Sequence, residues 1–192
     1  IESVDPAALA ALDKRQTPAG IARGVAAFRA AEISVHGMFI LGTDHDTVAS
    51  GRRTIDWARA AGLSSAQFLI LTPFPGTRTW DDLAGEGRIL FDDWSLYDGH
   101  HVTYRPQRMT PAELQGLQLE AHRRFYGGGA ILRAALRGRA EDAAIGVYAR
   151  QVQRCWQRDN RCFTDLLALM ERSKGLIRSA HLAQPAVGLP GA

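Results

Sequence analysis

The sequence predicts an α/β fold of parallel strands, continued by a mainly helical segment. Three observations carry this. Over residues 1–76, strand-length apolar runs alternate with helical patterns, the signature of βα units. The two runs, Ile33–Leu41 and Ala66–Thr72, are almost continuously apolar, as strands buried on both faces are. Beyond Thr110 the apolar period becomes helical and stays so.

Each element has its own signal. Asp5-Pro6 predicts a helix start, with Leu9 and Leu12 as an apolar stripe up to Arg15. Thr17-Pro18 repeats that signal, and Ile21, Val25 and Phe28 fall on one face of a helix ending near Ala31. After the first strand, Gly42–Asp46 is a polar loop. Asp46 or Thr47 caps a helix through Ala61, with Val48, Ile55 and Ala58 inward and Gly62 ending it. Pro73-Phe74-Pro75-Gly76 stops the second strand in a rigid turn. A short helix is expected over Thr79–Ala84 and irregular chain over 88–109. Thr110-Pro111-Ala112-Glu113 is a capping box, and Leu114, Leu117, Ala121 and Phe125 line the helix that follows. Gly127-Gly128-Gly129 breaks it, and 130 to about 178 reads as helical. The predicted division is 1–91, 92–180 and a tail of 181–192. Two strands make no stable sheet, and Ile1 opens directly into Glu2-Ser3, which reads as a strand end. The sequence therefore predicts further strands preceding these residues.

Composition narrows the class. The chain has 192 residues, 46% hydrophobic and 22% charged, which is globular, and no apolar run long enough to span a bilayer. A net charge of +3, with basic and acidic residues interleaved as far as about Arg133, argues against a nucleic-acid partner. The Arg-rich tail reads as a solvated helical face, with membrane contact left open. Cys155 and Cys162 are too few and wrongly spaced for a zinc or iron–sulfur site, and predict a reduced, cytoplasmic thiol pair. His36, His45, His100 and His101 show no ligand spacing and read as surface or structural. Trp94, Tyr97 and Tyr104 read as packing residues more than as the wall of a cavity.

Four stretches stand in order: IESVDPAALAALDKRQ at 1–16, GMFILGTDHDT at 37–47, FLILTPFPGT at 68–77 and DWSLYDGHHVTYRPQRMTPAELQ at 93–115. Together they resemble the second half of the radical S-adenosylmethionine (SAM) barrel. The likeness is to the subgroup that carries a cobalamin-binding domain ahead of the barrel and, as in hopanoid methylases, an extension after it. The resemblance covers residues 1 to about 126. It implies the C-terminal half of a partial (β/α)6 TIM-like barrel followed by an α-helical extension.

The resemblance also implies a site at the C-terminal ends of the strands, where parallel βα barrels place their reactive groups. Glu2 would meet the SAM ammonium, with Ser3 donating nearby, and Lys14 or Arg15 would pair with the SAM carboxylate. Phe39, Ile40 and Gly42 would contact the adenosine half, and the backbone of Leu71, Thr72 and Pro73 would bond adenine. Pro75-Gly76-Thr77 would roof the site. Thr43 and Asp46 stand where related proteins carry Pro and then Glu. The implied reaction is reductive cleavage of SAM at a 4Fe-4S cluster, giving a 5′-deoxyadenosyl radical. The cluster cysteines and any cobalamin domain would lie outside this chain, so the 192 residues alone should be inactive. The implied partners are a small-molecule or lipid-like substrate and an electron donor such as flavodoxin or ferredoxin. Two other readings stand beside this one: a radical SAM enzyme acting on RNA, and a non-catalytic barrel that binds a partner.

Overall fold

The computed structural model describes residues 1–6, 9 and 15–182, with side chains through Ser173. In chain order the elements are α1 (Pro18–Ala30), β1 (His36–Leu41), α2 (Val48–Ala61), β2 (Ser65–Ile70) and α3 (Arg78–Gly85). A 3-10 turn (Trp94–Leu96) follows, then α4 (Pro111–Phe125), α5 (Gly128–Leu136), α6 (Ala140–Asp159) and α7 (Arg161–Leu182). Leu9, at 2% exposure, donates its amide to the Asp5 carbonyl as a helix start requires, whereas Leu12 lies outside the described residues.

β1 and β2 pair in parallel, from His36 opposite Ser65 to Leu41 opposite Ile70, with α2 as the crossover between them. Strand side chains alternate between faces. Gly37, Phe39 and Leu41 of β1, with Ala66, Phe68 and Ile70 of β2, form one fully covered face. Phe39 stacks on Phe68 at 5.1 Å, and Trp57 from α2 and Phe125 from α4 meet these rings edge-on. The expectation of strands buried on both faces is corrected: His36 and Met38 on the second face are exposed, Met38 by 46%. On β2 the same face is half-buried, through Ser65, Gln67 and Leu69.

β1 also starts three residues later than expected. The amides of Glu32 and Ile33 close the end of α1, bonding to the Arg29 and Phe28 carbonyls at 3.0 and 2.9 Å. This is a Schellman exit, with Glu32 in the left-handed conformation at φ 58°. Ile33 is thereby taken out of the strand. Phe28, expected inward, is 53% exposed, because α1 rests on the core through Val25.

Thr47 caps α2, accepting from the Ser50 amide while Ser50 accepts from the Thr47 amide. Gly62 ends the helix at φ 74°. The capping box of α4 forms as read, and Leu114, Leu117, Ala121 and Phe125 are all buried. The helix break is narrower than the three glycines suggest, since Gly127 alone leaves the helix and α5 begins at Gly128. Residues 88–105 are more ordered than expected. Ile89 bridges Tyr104 antiparallel, with Leu90 and Arg105 amides bonding the Thr103 and Arg88 carbonyls at 2.8 Å.

The outer edge of β2 is closed by the extension rather than by a strand. The Tyr126 hydroxyl donates to the Ala66 carbonyl at 2.7 Å and accepts from its amide at 2.8 Å. Gln118 Nε2 donates to the Phe68 carbonyl, and the Ile70 amide donates to the Gly99 carbonyl. An open edge would otherwise offer a row of unpaired backbone groups. The core runs without interruption from β1, β2 and α2 into α4 and on to Leu167 of α7, across residue 91.

Candidate functional site

The C-terminal ends of the strands collect three separated segments. The Ile40 amide donates to the Glu2 carbonyl at 2.8 Å, and the Leu71 amide donates to the Leu41 carbonyl at 2.9 Å. Backbone groups of adjacent strand residues point to opposite edges, so Glu2 lies on the β1 edge away from β2. The spatial order is Glu2, β1, β2. Glu2–Ser3, Ile40–Gly42 and Leu71–Pro73 are thus neighbours at one end of the sheet. Lys14 lies outside the described residues.

The individual side chains divide sharply. Glu2, Ile40, Leu71 and Thr72 are half-buried, as a ligand-facing position should be. Ser3 is 4% exposed, and its Oγ accepts from the Asp5 amide, so it shapes the turn after the strand end. Phe39 has no exposed surface, and its ring points into the core between Phe68 and Trp57. That corrects its expected contact with adenosine: the half-buried Ile40 is the side chain with free apolar surface at that strand end. Pro73 is fully buried, while Phe74 beyond it is 53% exposed. Thr77 Oγ1 donates to the Phe74 carbonyl at 2.7 Å and accepts from the Trp80 amide, which fixes the turn against α3.

The loop after β1 is held from both sides. Asp46 does not cap α2. Its Oδ2 accepts from the Gly42 amide, the Thr43 amide and the Thr43 hydroxyl, each at 3.0 Å, and its Oδ1 accepts from Ser50. Gly42 sits at φ 97°, and its carbonyl accepts from the Tyr104 hydroxyl. A Cβ there would lie 2.5 Å from Tyr104 Oη and 2.6 Å from Leu114 Cδ2. The close approach that needs this glycine is that of the extension, and both Gly42 backbone groups are used inside the fold. Arg88, 12% exposed, grips Asp44 with both terminal nitrogens at 2.5 and 3.1 Å, and its Nε donates to the Arg105 carbonyl. The Asp44 bond, more than that to Glu86, raises the guanidinium pKa despite burial. Residues 88–105 therefore lock the loop that ends β1.

Arg88, Asp44 and the Tyr104 hydroxyl were not singled out in the sequence as partners of this loop. Nothing local marks them: Tyr104 and Gly42 are 62 residues apart, and Arg88 and Asp44 are 44 apart. Of the histidines singled out in the sequence, His45 is exposed. His36 bonds Ser65 across the sheet. His101, 5% exposed, sits between Asp98 at 3.0 Å and Asn160 at 2.8 Å, against the rings of Trp156 and Phe163.

The strand-end residues suit an organic cation and a nucleobase: one carboxylate, apolar half-buried side chains and a hydroxyl. They do not suit a metal cluster, which takes cysteine thiolates. Cys155 and Cys162 stand on α6 and α7, and no three potential ligands converge among the described residues. No helix among the described residues is long and apolar enough to cross a membrane.

No family model matches the chain. It is similar to proteins named for methyl transfer. Over 102 residues, 53% of this chain, it is 30% identical to bacteriochlorophyllide d C-12(1)-methyltransferase of Chlorobaculum tepidum. Over 126 residues, 66% of this chain, it is 29% identical to an uncharacterized methyltransferase of Pyrococcus horikoshii. It is 33% identical over 94 residues, 48% of this chain, to hopanoid C-2 methylase of Rhodopseudomonas palustris. The matched stretches span 22%, 28% and 18% of the respective relatives, less than a third of the length of each.

Proposed function

We propose that these residues belong to a radical SAM methyltransferase and form the SAM-cradling end of its barrel. The observation that carries this is the convergence of Glu2, Ile40 and Leu71–Thr72 on adjacent strand ends in a chain similar to named methyltransferases. In this reading the sheet continues beyond Glu2 into further parallel strands, completing a partial (β/α)6 barrel. The second face of β1 and β2, with Met38 and Ile40, then lines its interior.

When bound, S-adenosylmethionine supplies the methyl group and the carbon–sulfur bond that a 4Fe-4S cluster cleaves reductively. The residues here bind and orient it. The Glu2 carboxylate accepts from the ammonium, Ile40 and Leu71 pack on the adenosine, and backbone at Leu71–Pro73 bonds the adenine edge. Arg88, Asp46 and Tyr104 keep the loop after β1 fixed so that these contacts are preorganised. The cluster, and cobalamin as the methyl carrier, are held by parts of the protein outside these residues. A small or lipid-like substrate and a flavodoxin- or ferredoxin-like electron donor complete the reaction. The helical extension favours this over an RNA-modifying enzyme with a β-rich C-terminal domain, since α4–α7 account for most of residues 111–182.

The test uses the full-length protein, reconstituted anaerobically. It should cleave SAM, and Glu2→Gln should raise the KM for SAM about tenfold or more, the loss of a charge-assisted bond of about 1.5–3 kcal/mol. Unchanged KM in that variant would remove Glu2 from the site. Absence of SAM cleavage by the wild type would overturn the class.

A further inference from the structure

Helix α5 is amphipathic in the reverse of the usual sense. The residues it packs with are small or tightly seated. Ile131 lies so close to Gly146 of α6 that a Cβ there would come within 2.8 Å of it. The outer side carries Leu132 and Leu136, one turn apart and 60% and 80% exposed. Leu136 is the most exposed large apolar side chain among the described residues. A helix face that meets only water is normally polar.

Beside the leucines stand Arg133 and Arg137, also one turn apart and exposed. Neither makes an ion pair among the described residues. With Arg59 and Arg139 they line a cleft of about 120 Å³, whose one acid, Asp142, pairs with Arg139. The lining thus holds an excess of three positive charges, as large as the net charge of the whole chain, +3. From Ala121 to Ala140 the sequence has no Asp or Glu to offset it. Phe125, which packs on the covered face of the sheet, also lines the cleft. The cleft therefore lies on the helical side, away from the face assigned to the barrel interior. Its volume suits a single phosphate group and is well below the roughly 300–1,000 Å³ of a small-molecule site.

We propose that α5 docks on the surface of an anionic phospholipid bilayer. Leu132 and Leu136 enter the boundary between headgroups and acyl chains, while Arg133, Arg137 and the cleft behind them take headgroup phosphates. Both features point to this one partner. A free phosphate ion would leave the leucines in water, and a purely apolar protein surface would desolvate the arginines without a counter-charge. The surface lies apart from the strand-end site and does not depend on the methyl-transfer reading.

The experiment measures co-sedimentation of the full-length protein with vesicles of phosphatidylcholine, alone or with phosphatidylglycerol as about a quarter of the lipid. Only surfaces open in the whole protein can bind there. The expected result is partitioning about tenfold or more stronger onto the anionic vesicles, weakening as salt screens the charges. Leu132→Ser with Leu136→Ser, and Arg133→Gln with Arg137→Gln, should each lower it by about tenfold. Arg23→Gln with Arg108→Gln, which removes two exposed charges outside the cleft, should not. Inorganic phosphate, matched to the lipid phosphate at constant ionic strength, should leave the bound fraction unchanged. Thermal unfolding of each variant shows that its fold is kept, and where one pair fails that check the other decides. Equal binding to the two vesicles or none, unaltered binding in a folded α5 pair, an equal loss in the control pair, or displacement by inorganic phosphate would overturn the proposal.

Discussion

Two groups of residues carry charge and polarity into places where the fold depends on them. Gly42 and Tyr104 are the first. Gly42→Ala puts a Cβ into Tyr104 and Leu114 at a positive φ and should cost about 2–4 kcal/mol in urea unfolding. Tyr104→Phe leaves the buried Gly42 carbonyl unpaired and should cost about 1–3 kcal/mol. Asp98 and His101 are the second. Burial opposes the charged form of both. For Asp98, bonds from the His101 ring and the His100 and His101 amides outweigh burial and hold its pKa at about 2. For His101, bonds to Asp98 and Asn160 outweigh burial and raise its pKa. The signs differ. The raised His101 pKa contributes stability below about pH 6.5, lost as pH rises through the folded value. The lowered Asp98 pKa contributes stability above about pH 4, lost as pH falls toward about 2. His100 and His122, whose pKa values burial lowers, act in the opposite sense below about pH 6.5. The His101 contribution is therefore read as the difference between wild type and His101→Gln in a thermal-unfolding series across pH, a difference that should shrink as pH rises above about 6.5.

At the scale of elements, two terminations are unusual. The Schellman exit of α1 places Glu32 where glycine is the common choice. Glu32→Gly should stabilise the chain by about 0.5–1 kcal/mol, because the left-handed conformation strains a residue with a Cβ. The outer edge of β2 is satisfied by side chains of the extension. Tyr126→Phe removes both bonds to Ala66 and should cost about 2–3 kcal/mol, with faster amide exchange at Ala66. If exchange at Ala66 stays as slow as in the wild type, that hydroxyl is not what closes the edge.

At the scale of the molecule, the extension is part of the same core as the sheet, through Leu114, Leu117, Phe125 and Leu167. In the proposed barrel, the second face of β1 and β2 lines the interior. Met38→Asp alters a side chain that is 46% exposed and should cost this chain less than about 1 kcal/mol. If the proposed function holds, the same change in the longer protein puts a carboxylate on the face assigned to the barrel interior and should abolish SAM turnover. Full activity in that variant would place Met38 outside the interior.

Sequence by itself determined the parts whose cause is local. Capping chemistry at Thr47 and Thr110, the left-handed end at Gly62, the apolar period of α4 and the stop at Pro73 all depend on residues within a few positions of one another. The same local motifs supplied the segments whose ends meet at Glu2, Ile40 and Leu71. Tertiary structure decided the rest. Phe39 became core because a strand side chain's face is set by register, and register is not written in an unbroken apolar run. Asp46 turned back to the loop instead of capping because Thr47 already satisfied the helix. Arg88, Tyr104, Gln118 and Tyr126 meet their partners across 44–62 residues of chain. No spacing rule reaches that far; only the packing of the extension onto the sheet brings those donors to the carbonyls and carboxylates that need them.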